Sequence, residues 1–517
     1  MKLKFTFLNL FLGCISLLLI NTKFTSNVAA EETLEVQLTK EIKKGKFLIG
    51  LKQYLGGEND SFSNKKNISF KTDKGLLTLH SSNGIKFKAN EINIMWRDIP
   101  IKNPKTIERI VFGPFASYES AKKQADTLKD RGFETTVAYP KNWEVWIPYE
   151  DDLPEFELTN KIYRKIKNSQ VLPFLLNHEI PKKLEGPIRI YAAEEIKIND
   201  VNFGKNFYLI QDSYGTWTLI QKIKFDDYLE GVLPHEIGPN SPLEALKAQA
   251  VIARTWGIYN SERFNIDKYH LCISTQCQVY KPPKVKNKKV QKAIQTTSNL
   301  ILKYKNQPIN AFYHGSNGGI SATSGESWQM QNYPYLNSMI DGSKSLNKVF
   351  KWPISNESEL SNFLDFDQEK FYGSNHNLFR WDKKISSLRI KEQLIKNKLI
   401  GINNNVLSLN AIERGPSGRV TKLEIKTNKV NKSIVLEKDN IRRVLSFIPS
   451  NLFTINKLND DLWLLKGGGF GHGVGLSQSG AIEMAELGFS YEEILNHYYR
   501  DAKLEKIEIL SLSQFNN

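Results

Sequence analysis

The chain has 517 residues, more than one typical domain, and its 40% apolar and 11% aromatic content is enough to bury sizeable cores. With 71 lysines and arginines against 55 acids, its formal net charge of +16 directs it toward something anionic: a wall polymer, a membrane face or nucleic acid. Nothing in the sequence forms a nucleic-acid module, so nucleic acid is set aside as a partner and a wall polymer is preferred.

Residues 1–30 read as an export signal. Lys2 and Lys4 precede an apolar run from Phe5 to Ile20, and Val28-Ala29-Ala30 closes on small residues. The run is short for a membrane span; an uncleaved membrane anchor is the alternative. A lipid anchor through Leu12-Gly13-Cys14 is disfavoured because the apolar run continues past the cysteine. The signal holds three lysines and no acid, so the mature chain carries 68 basic residues against 55 acids, a charge of +13. The expected location is the periplasm or cell wall. Cys14 leaves with the signal. Cys272 and Cys277 remain as a pair, for which a disulfide and a metal site are both open.

Residues 31–100 alternate weakly, through Phe47, Ile49 and Leu51, then Leu76-Leu77-Thr78-Leu79 and Ile92-Asn93-Ile94-Met95-Trp96, and predict a small β-rich region. Over 101–150 the pattern is sharper. Ile107–Phe115 reads as a strand; Ser117–Lys129 reads as a helix with Ala121, Ala125 and Leu128 on one face; Gly132 ends it, and Thr135–Tyr139 resumes a strand. Gly113-Pro114-Phe115 followed by Ala-x-x-x-Ala-x-x-Leu-Lys and Gly resembles a SPOR module, a small α+β domain that binds peptidoglycan glycan strands. From about 185, Ile188–Tyr191 and Phe207–Ile210 read as strands, and Phe225–Leu233 as a short helix.

The stretch Leu233–Ala250 carries the strongest local signals. Glu236 is expected in a short loop stiffened by Pro234 and Pro239. Ser241-Pro242-Leu243-Glu244 reads as a capping box, with Ser241 as N-cap, Pro242 at the first helical position and Glu244 three residues beyond the cap. That gives Glu244 a structural task and leaves Glu236 as the preferred acid. Lys247 and Arg254, on the helix that follows, are expected to face an anionic substrate. His270, Cys272 and Cys277 have spacing suited to Zn²⁺, and of the two open readings the metal is preferred. His314, Ser316 and Asn317 offer polar groups beside Gly318-Gly319. His472 lies in a loop with glycine at 467, 468, 469, 471, 473 and 475. That loop lacks the Lys-Ser/Thr ending of a phosphate-binding loop and is expected to wall a substrate cleft with Gln478. Ser490-x-x-Glu493 forms a second capping box. Residues 340–385 form an insert rich in Ser, Asn and charge. Leu407–Leu409 and Thr421–Ile425 predict an antiparallel sheet around Gly415-Pro416-Ser417-Gly418.

Five of these strings recur in order. Asp227-Tyr228-Leu229-x-Gly231-Val232-Leu233-Pro234-x-Glu236, Pro242–Thr255, Cys277-Gln278-Val279-Tyr280, Ser417-Gly418-Arg419-Val420 and Gly467–Gln478 resemble the SpoIID/LytB family over about 185–505. His314-Gly315-Ser316-Asn317-Gly318-Gly319 also resembles that family, with Gly315 where a serine is expected. The resemblance implies an α+β fold: a SpoIID-type mixed α/β catalytic domain with an antiparallel β insert, preceded by the SPOR-like module. It implies a lytic transglycosylase that cuts the MurNAc–GlcNAc β-1,4 bond of denuded glycan through one glutamate, Glu236, leaving 1,6-anhydro ends. It also implies the alternative, a non-catalytic wall-binding protein that enhances a cell-wall amidase. Zinc has precedent in the family; no organic cofactor is expected.

Overall fold

The computed structural model describes residues 41–42, 44–57, 67–149, 161–283, 285–354, 356–428 and 433–507. The expected export signal and Cys14 lie outside them. The helices are α1 (Tyr118–Lys129), α2 (Phe225–Glu236), α3 (Leu243–Tyr259), α4 (Lys288–Thr296), α5 (Ser324–Ser327), α6 (Glu357–Leu364), α7 (Ser387–Lys396), α8 (Asp439–Val444), α9 (Gln478–Glu486) and α10 (Tyr491–Tyr498). Mixed with several sheets, they make an α+β protein, as expected.

One antiparallel run of strands is Lys46–Leu55, Trp217–Lys224, Asn206–Gln211, Ile188–Tyr191, Leu77–Ser81 and Lys86–Ala89, in that spatial order. The short strand Leu271–Cys272 adds to its edge in parallel, with Ile49 opposite Leu271 and Gly50 opposite Cys272. Strand alternation explains the register: Phe207 and Leu209 point into the core while Asn206, Tyr208 and Ile210 do not. The sheet crosses the boundary expected near residue 100, because Lys46–Leu55 pairs with Trp217–Lys224. Phe47, Ile49, Leu79, Ile190 and Leu219 share one core with α2 and α3.

Helix α3 is the axis of that core. Its residues from Ala245 to Ile258 are buried, Lys247 excepted, so it is covered on every face, as a fully enclosed helix is. α2, α4, α9 and α10 pack against it. Its start differs from the capping box read in the sequence. Pro242 occupies the N-cap position without a side-chain cap, and Ser241 Oγ instead donates to the Ile237 carbonyl (2.6 Å). The extended ψ of Pro242 (147°) moves the helix start past Ser241, out of reach of its first N–H groups. Glu244 is used across the fold: its Oε1 takes the Lys247 ammonium at 2.6 Å, and its Oε2 accepts from the Tyr491 N–H at 3.0 Å. The box at α10 forms as read, with Ser490 and Glu493 bonding reciprocally.

A long strand, Glu91–Phe115, leaves the core region and pairs with Lys161–Leu175 along most of its length. At its far end it meets Trp143–Pro148, and α1 covers that end with Ala121, Ala125 and Leu128 inward, the face read from the sequence. Ser117 caps α1 by accepting from Ser120 N–H. Toward the C-terminus, Val406–Arg414, Val420–Thr427 and Ile434–Glu437 form the antiparallel sheet expected around residues 415–418. With Trp381–Ser386, Phe453–Asn459, Leu462–Gly467 and α7 they build a second core around Ile390, Leu394, Leu423 and Trp463. The insert at 340–385, unreadable by composition, closes on a cluster of Phe363, Phe371 and Phe379 with Ile320 and Leu452.

Candidate active site

Glu236 is not in a loop. It is the last residue of α2, with Pro234 inside the final turn. Proline has no N–H and crowds the carbonyl four residues back, so it is tolerated only where the helix is ending. The stop is completed by Ile237, whose N–H returns to the Leu233 carbonyl (3.1 Å), and by Gly238 at φ +91°, the left-handed residue that favours glycine past a helix end. The stiffness inferred from the prolines is therefore present, but a helix supplies it.

Three donors hold the Glu236 carboxyl. The Val279 N–H donates to Oε1 at 2.6 Å, and the Tyr313 hydroxyl and Gln478 amide bond the same group. Gln278 supports Tyr313, donating to its hydroxyl at 3.2 Å and to the Ala253 carbonyl at 3.3 Å. Gln478 in turn reaches Gln249 Oε1 on α3 at 3.4 Å. The donors arrive from two distant motifs because Tyr313–His314 pairs in parallel with Leu476–Ser477, which sets Tyr313 beside Gln478. Half-burial raises the Glu236 pKa above its ordinary 4.5, and the three hydrogen bonds oppose that rise only in part. A helix C-terminus, with its partial negative charge, also disfavours the ionised form. Burial and the nearby Glu236 charge push the Tyr313 hydroxyl well above 10, so it stays a donor. A carboxyl whose protonated form is favoured by burial can pass its proton to a ligand oxygen.

The other residues read as ligand-binding are placed differently. Arg254 is buried; it donates to the carbonyls of Thr297 (2.9 Å) and Leu300 (3.0 Å) and pairs with Asp226 (3.0 Å). It is a core tie, because α3 is enclosed on all sides. Lys247, the half-buried position of that helix, is occupied by Glu244 and lies 5.4 Å from the Tyr491 ring centre. Asn317 is fully buried: its amide donates to Asp341 (2.7 Å), and its Oδ1 accepts from Gly319 N–H (2.9 Å). Asp341 also takes His497 (2.8 Å) and Tyr498 (2.9 Å). Ser316 is buried and bridges Phe470 through backbone bonds.

His314 and His472 lie with ring centres 5.3 Å apart. His314 Nδ1 meets the Val474 carbonyl at 3.1 Å, and His472 Nδ1 accepts from Val474 N–H at 3.1 Å. Burial pushes His314 down to about 3 and His472 well below 6.5, so both are neutral wall groups near neutral pH. The glycine loop packs its backbone closely against neighbouring segments. A Cβ on Gly475 (φ +70°) would lie 2.0 Å from the Phe312 carbonyl oxygen, and one on Gly473 would lie 2.5 Å from the Arg419 guanidinium. At Gly315 a Cβ would meet the Phe470 ring at 3.0 Å; that ring is exposed and stacks loosely on His376.

Cys272 and Cys277 form a disulfide, the second of the two readings left open. His270 is buried, and its Nδ1 accepts from the Leu48 N–H at 2.9 Å. With both sulfurs bonded to each other and that nitrogen taken, His270, Cys272 and Cys277 do not fit a zinc ion as they stand. Among the described residues no group of three or more His, Cys, Asp or Glu side chains is disposed to hold a metal. Tyr313, Gln249, Gln278 and the Val279 N–H were not singled out as site groups from sequence. The available signal was glutamine in otherwise apolar company: Gln249 within Ala248-Gln249-Ala250-Val251, and Gln278 between Cys277 and Val279.

Fold and site thus define a mixed α+β protein built around a glutamic acid at a helix end, half-buried and held by three donors. A family profile described as Stage II sporulation protein matches residues 213–304, which contain Glu236 and the whole of α3. A second, described as a domain of unknown function (DUF8618), matches 322–475. The chain is 30% identical over 293 residues to an uncharacterized protein of Brachyspira hyodysenteriae, covering 55% of this chain and 67% of that one. It is 30% identical over 292 residues to the amidase enhancer of Bacillus subtilis (52% and 39%). It is 25% identical over 304 residues to stage II sporulation protein D of the same organism (56% and 76%). Residues 213–304 are thus similar to the Stage II sporulation protein family, and the longer matched stretch is similar to proteins named amidase enhancer and stage II sporulation protein D.

Proposed function

We propose that the protein is an exported peptidoglycan lytic transglycosylase in which Glu236 is the general acid and base. The observation that carries this reading is the Glu236 carboxyl itself, kept above its ordinary pKa by burial and aimed by Val279, Tyr313 and Gln478. Three of the four other carboxylates on α2 and α3 are engaged elsewhere, Asp226 with Arg254, Glu230 with Gln291, Glu244 with Lys247 and Tyr491, and the fourth, Asp227, lies in the first turn of α2, at the opposite end of that helix from Glu236. That favours a one-carboxylate route over hydrolysis by a carboxylate pair. Protonated Glu236 donates to the glycosidic oxygen between MurNAc and GlcNAc, and the bond to the MurNAc anomeric carbon breaks. The resulting glutamate takes the proton of the MurNAc 6-hydroxyl as that oxygen closes on the same carbon. The products are a 1,6-anhydro end and a free GlcNAc 4-hydroxyl; no water is consumed. The exposed Phe470 ring over Gly315, two residues from Tyr313, offers an apolar face for a sugar. The basic balance of the chain suits the lactyl carboxylates of denuded glycan.

The SPOR-like reading of residues 101–150 supplies a second glycan contact under this proposal. The periplasm or cell wall is the location that goes with it. A second reading, a non-catalytic enhancer of a cell-wall amidase, is favoured by the amidase enhancer relative. Incubating denuded glycan with wild type and Glu236→Gln, and separately incubating peptide-bearing peptidoglycan with an N-acetylmuramoyl amidase in the presence and absence of either protein, separates the two. Anhydro ends from wild type alone support the first reading. Stimulated amidase turnover without such ends, equal in both proteins, supports the second.

A further inference from the structure

The segment that delivers the Val279 N–H to Glu236 is tied at three points. Cys272 ends a strand inside the core sheet and is buried; Cys277 is half-buried and bonded to it, and its Sγ accepts from the Cys272 N–H at 2.9 Å. Immediately after Cys277, Gln278 bonds the Tyr313 hydroxyl, Val279 bonds Glu236, and Tyr280 stacks on Tyr228 of α2 with ring centres 5.3 Å apart. On its outer side the loop meets the α1 region, where Trp143 Nε1 donates to Gln276 Oε1 at 2.6 Å and Arg263 donates to the Gln276 carbonyl at 3.1 Å. A ring spanning residues 272–277 removes little entropy from the unfolded chain compared with a long loop. Its more specific consequence is local: it fixes the start of the two residues that hold the acid.

We infer that the Cys272–Cys277 disulfide is a positioning element of the Glu236 site, and that its reduction by a dithiol switches glycan cleavage down. This rests on the function proposed above. In the switching step a thiolate of the dithiol attacks the more accessible Cys277 Sγ, and Cys272 leaves as a thiolate that takes up a proton. The second thiol of the reductant then displaces Cys277 from the mixed disulfide, so the protein gains two thiols as the dithiol becomes a disulfide.

The test uses the purified full chain. Alkylation and peptide mapping, before and after a dithiol, follow Cys272 and Cys277. Hydrogen exchange of peptides within 273–281, glycan cleavage against pH, and thermal unfolding are measured on oxidised wild type, reduced wild type, reoxidised protein and a Cys272→Ser/Cys277→Ser variant. The expected result is alkylation only after reduction and faster exchange in 273–281 with the fold retained. The kcat falls roughly ten- to a hundredfold, as for a slightly misplaced acid, and the basic limb of the pH profile moves to higher pH; reoxidation reverses all of these in wild type, whereas the variant keeps the reduced behaviour throughout. Free thiols in the purified protein, unchanged exchange and activity on reduction, or a reduced form that takes up one zinc ion and keeps full activity would each overturn the inference. If oxidised wild type cleaves no glycan, the proposed function fails; the exchange comparison then decides the positioning claim alone, faster exchange supporting it and unchanged exchange overturning it.

Discussion

At the level of single residues, the acid is tuned by opposing effects whose signs are separable. Burial raises the Glu236 pKa, and the Tyr313, Gln478 and Val279 donors lower it by favouring the charged form. An acid catalyst works while protonated, so cleavage is lost as pH rises through the folded pKa, which lies above 4.5. Replacing Tyr313 by Phe or Gln478 by Ala removes a donor to the carboxylate. Each change is expected to move the basic limb of the rate profile upward in pH while kcat falls through poorer aim; pH profiles of purified variants check both. Arg254 gives a contrasting prediction. Arg254→Met leaves the Thr297 and Leu300 carbonyls without their donor, while Asp226 is partly exposed and keeps Ser298; the expected loss is about 2–3 kcal/mol of stability, measured by denaturant unfolding. A loss of glycan affinity at unchanged stability would restore the ligand-facing reading. The residue scale is also where the sequence was read least evenly. Glu236 and Gln478 stand out through prolines and motif strings, whereas Arg254 and Lys247 are assigned to an anionic substrate by their charge. The neighbours of Arg254 are Ile252, Ala253, Thr255 and Trp256, a mostly apolar stretch, and a charge within such a stretch is more often a buried tie than a free hand. Tyr313 was missed because its role depends on a pairing with Leu476 some 160 positions along the chain.

Elements carry the next lesson, since two capping boxes with the same spelling behave differently. Ser490-Tyr491-Glu492-Glu493 closes on itself; Ser241-Pro242-Leu243-Glu244 does not, because Pro242 stays extended and takes the N-cap place. Glu244 is then free to bind the first N–H of α10, which docks that helix on α3. The glycine loop is an element defined by close approach. Gly475→Ala would place a methyl group 2.0 Å from the Phe312 oxygen, at a φ of +70°. The expected cost exceeds the roughly 1 kcal/mol of an ordinary loop substitution, and it also pulls Tyr313 away from Gln478. Calorimetry of Gly475→Ala checks the first effect, and its residual kcat the second. Wild-type stability in that variant would contradict the packing described.

Across the whole molecule, the α1 region is docked on the core that holds Glu236 rather than tethered to it. Glu119 on α1 pairs with Arg263 just beyond α3, and both are buried. Ser117 and Ser120 bond Asp439 of α8 at 2.5 and 3.0 Å. Glu119→Ala strands the Arg263 charge, and about 3–5 kcal/mol is the expected destabilisation; an unchanged melting temperature would show that the two parts are independent. The order of strands and helices here was legible from local periodicity. What local pattern does not encode is that Lys46–Leu55 joins a sheet with residues more than 160 positions later, or that phenylalanines spread over 363–379 gather into one cluster. Long-range pairing is set by which apolar faces remain to be covered, and only the assembled fold displays those.

The central claim is that one proton donor, Glu236, cleaves glycan without water. Its most direct test is mass spectrometry of products from denuded glycan strands treated with wild type or Glu236→Gln in ¹⁸O-water. The account predicts 1,6-anhydro-MurNAc ends carrying no ¹⁸O from wild type, and from Glu236→Gln a rate lower by at least about two orders of magnitude, the lower end of the range for loss of a general acid. Reducing ends labelled with ¹⁸O, or equal yields of anhydro ends from both proteins, would contradict it.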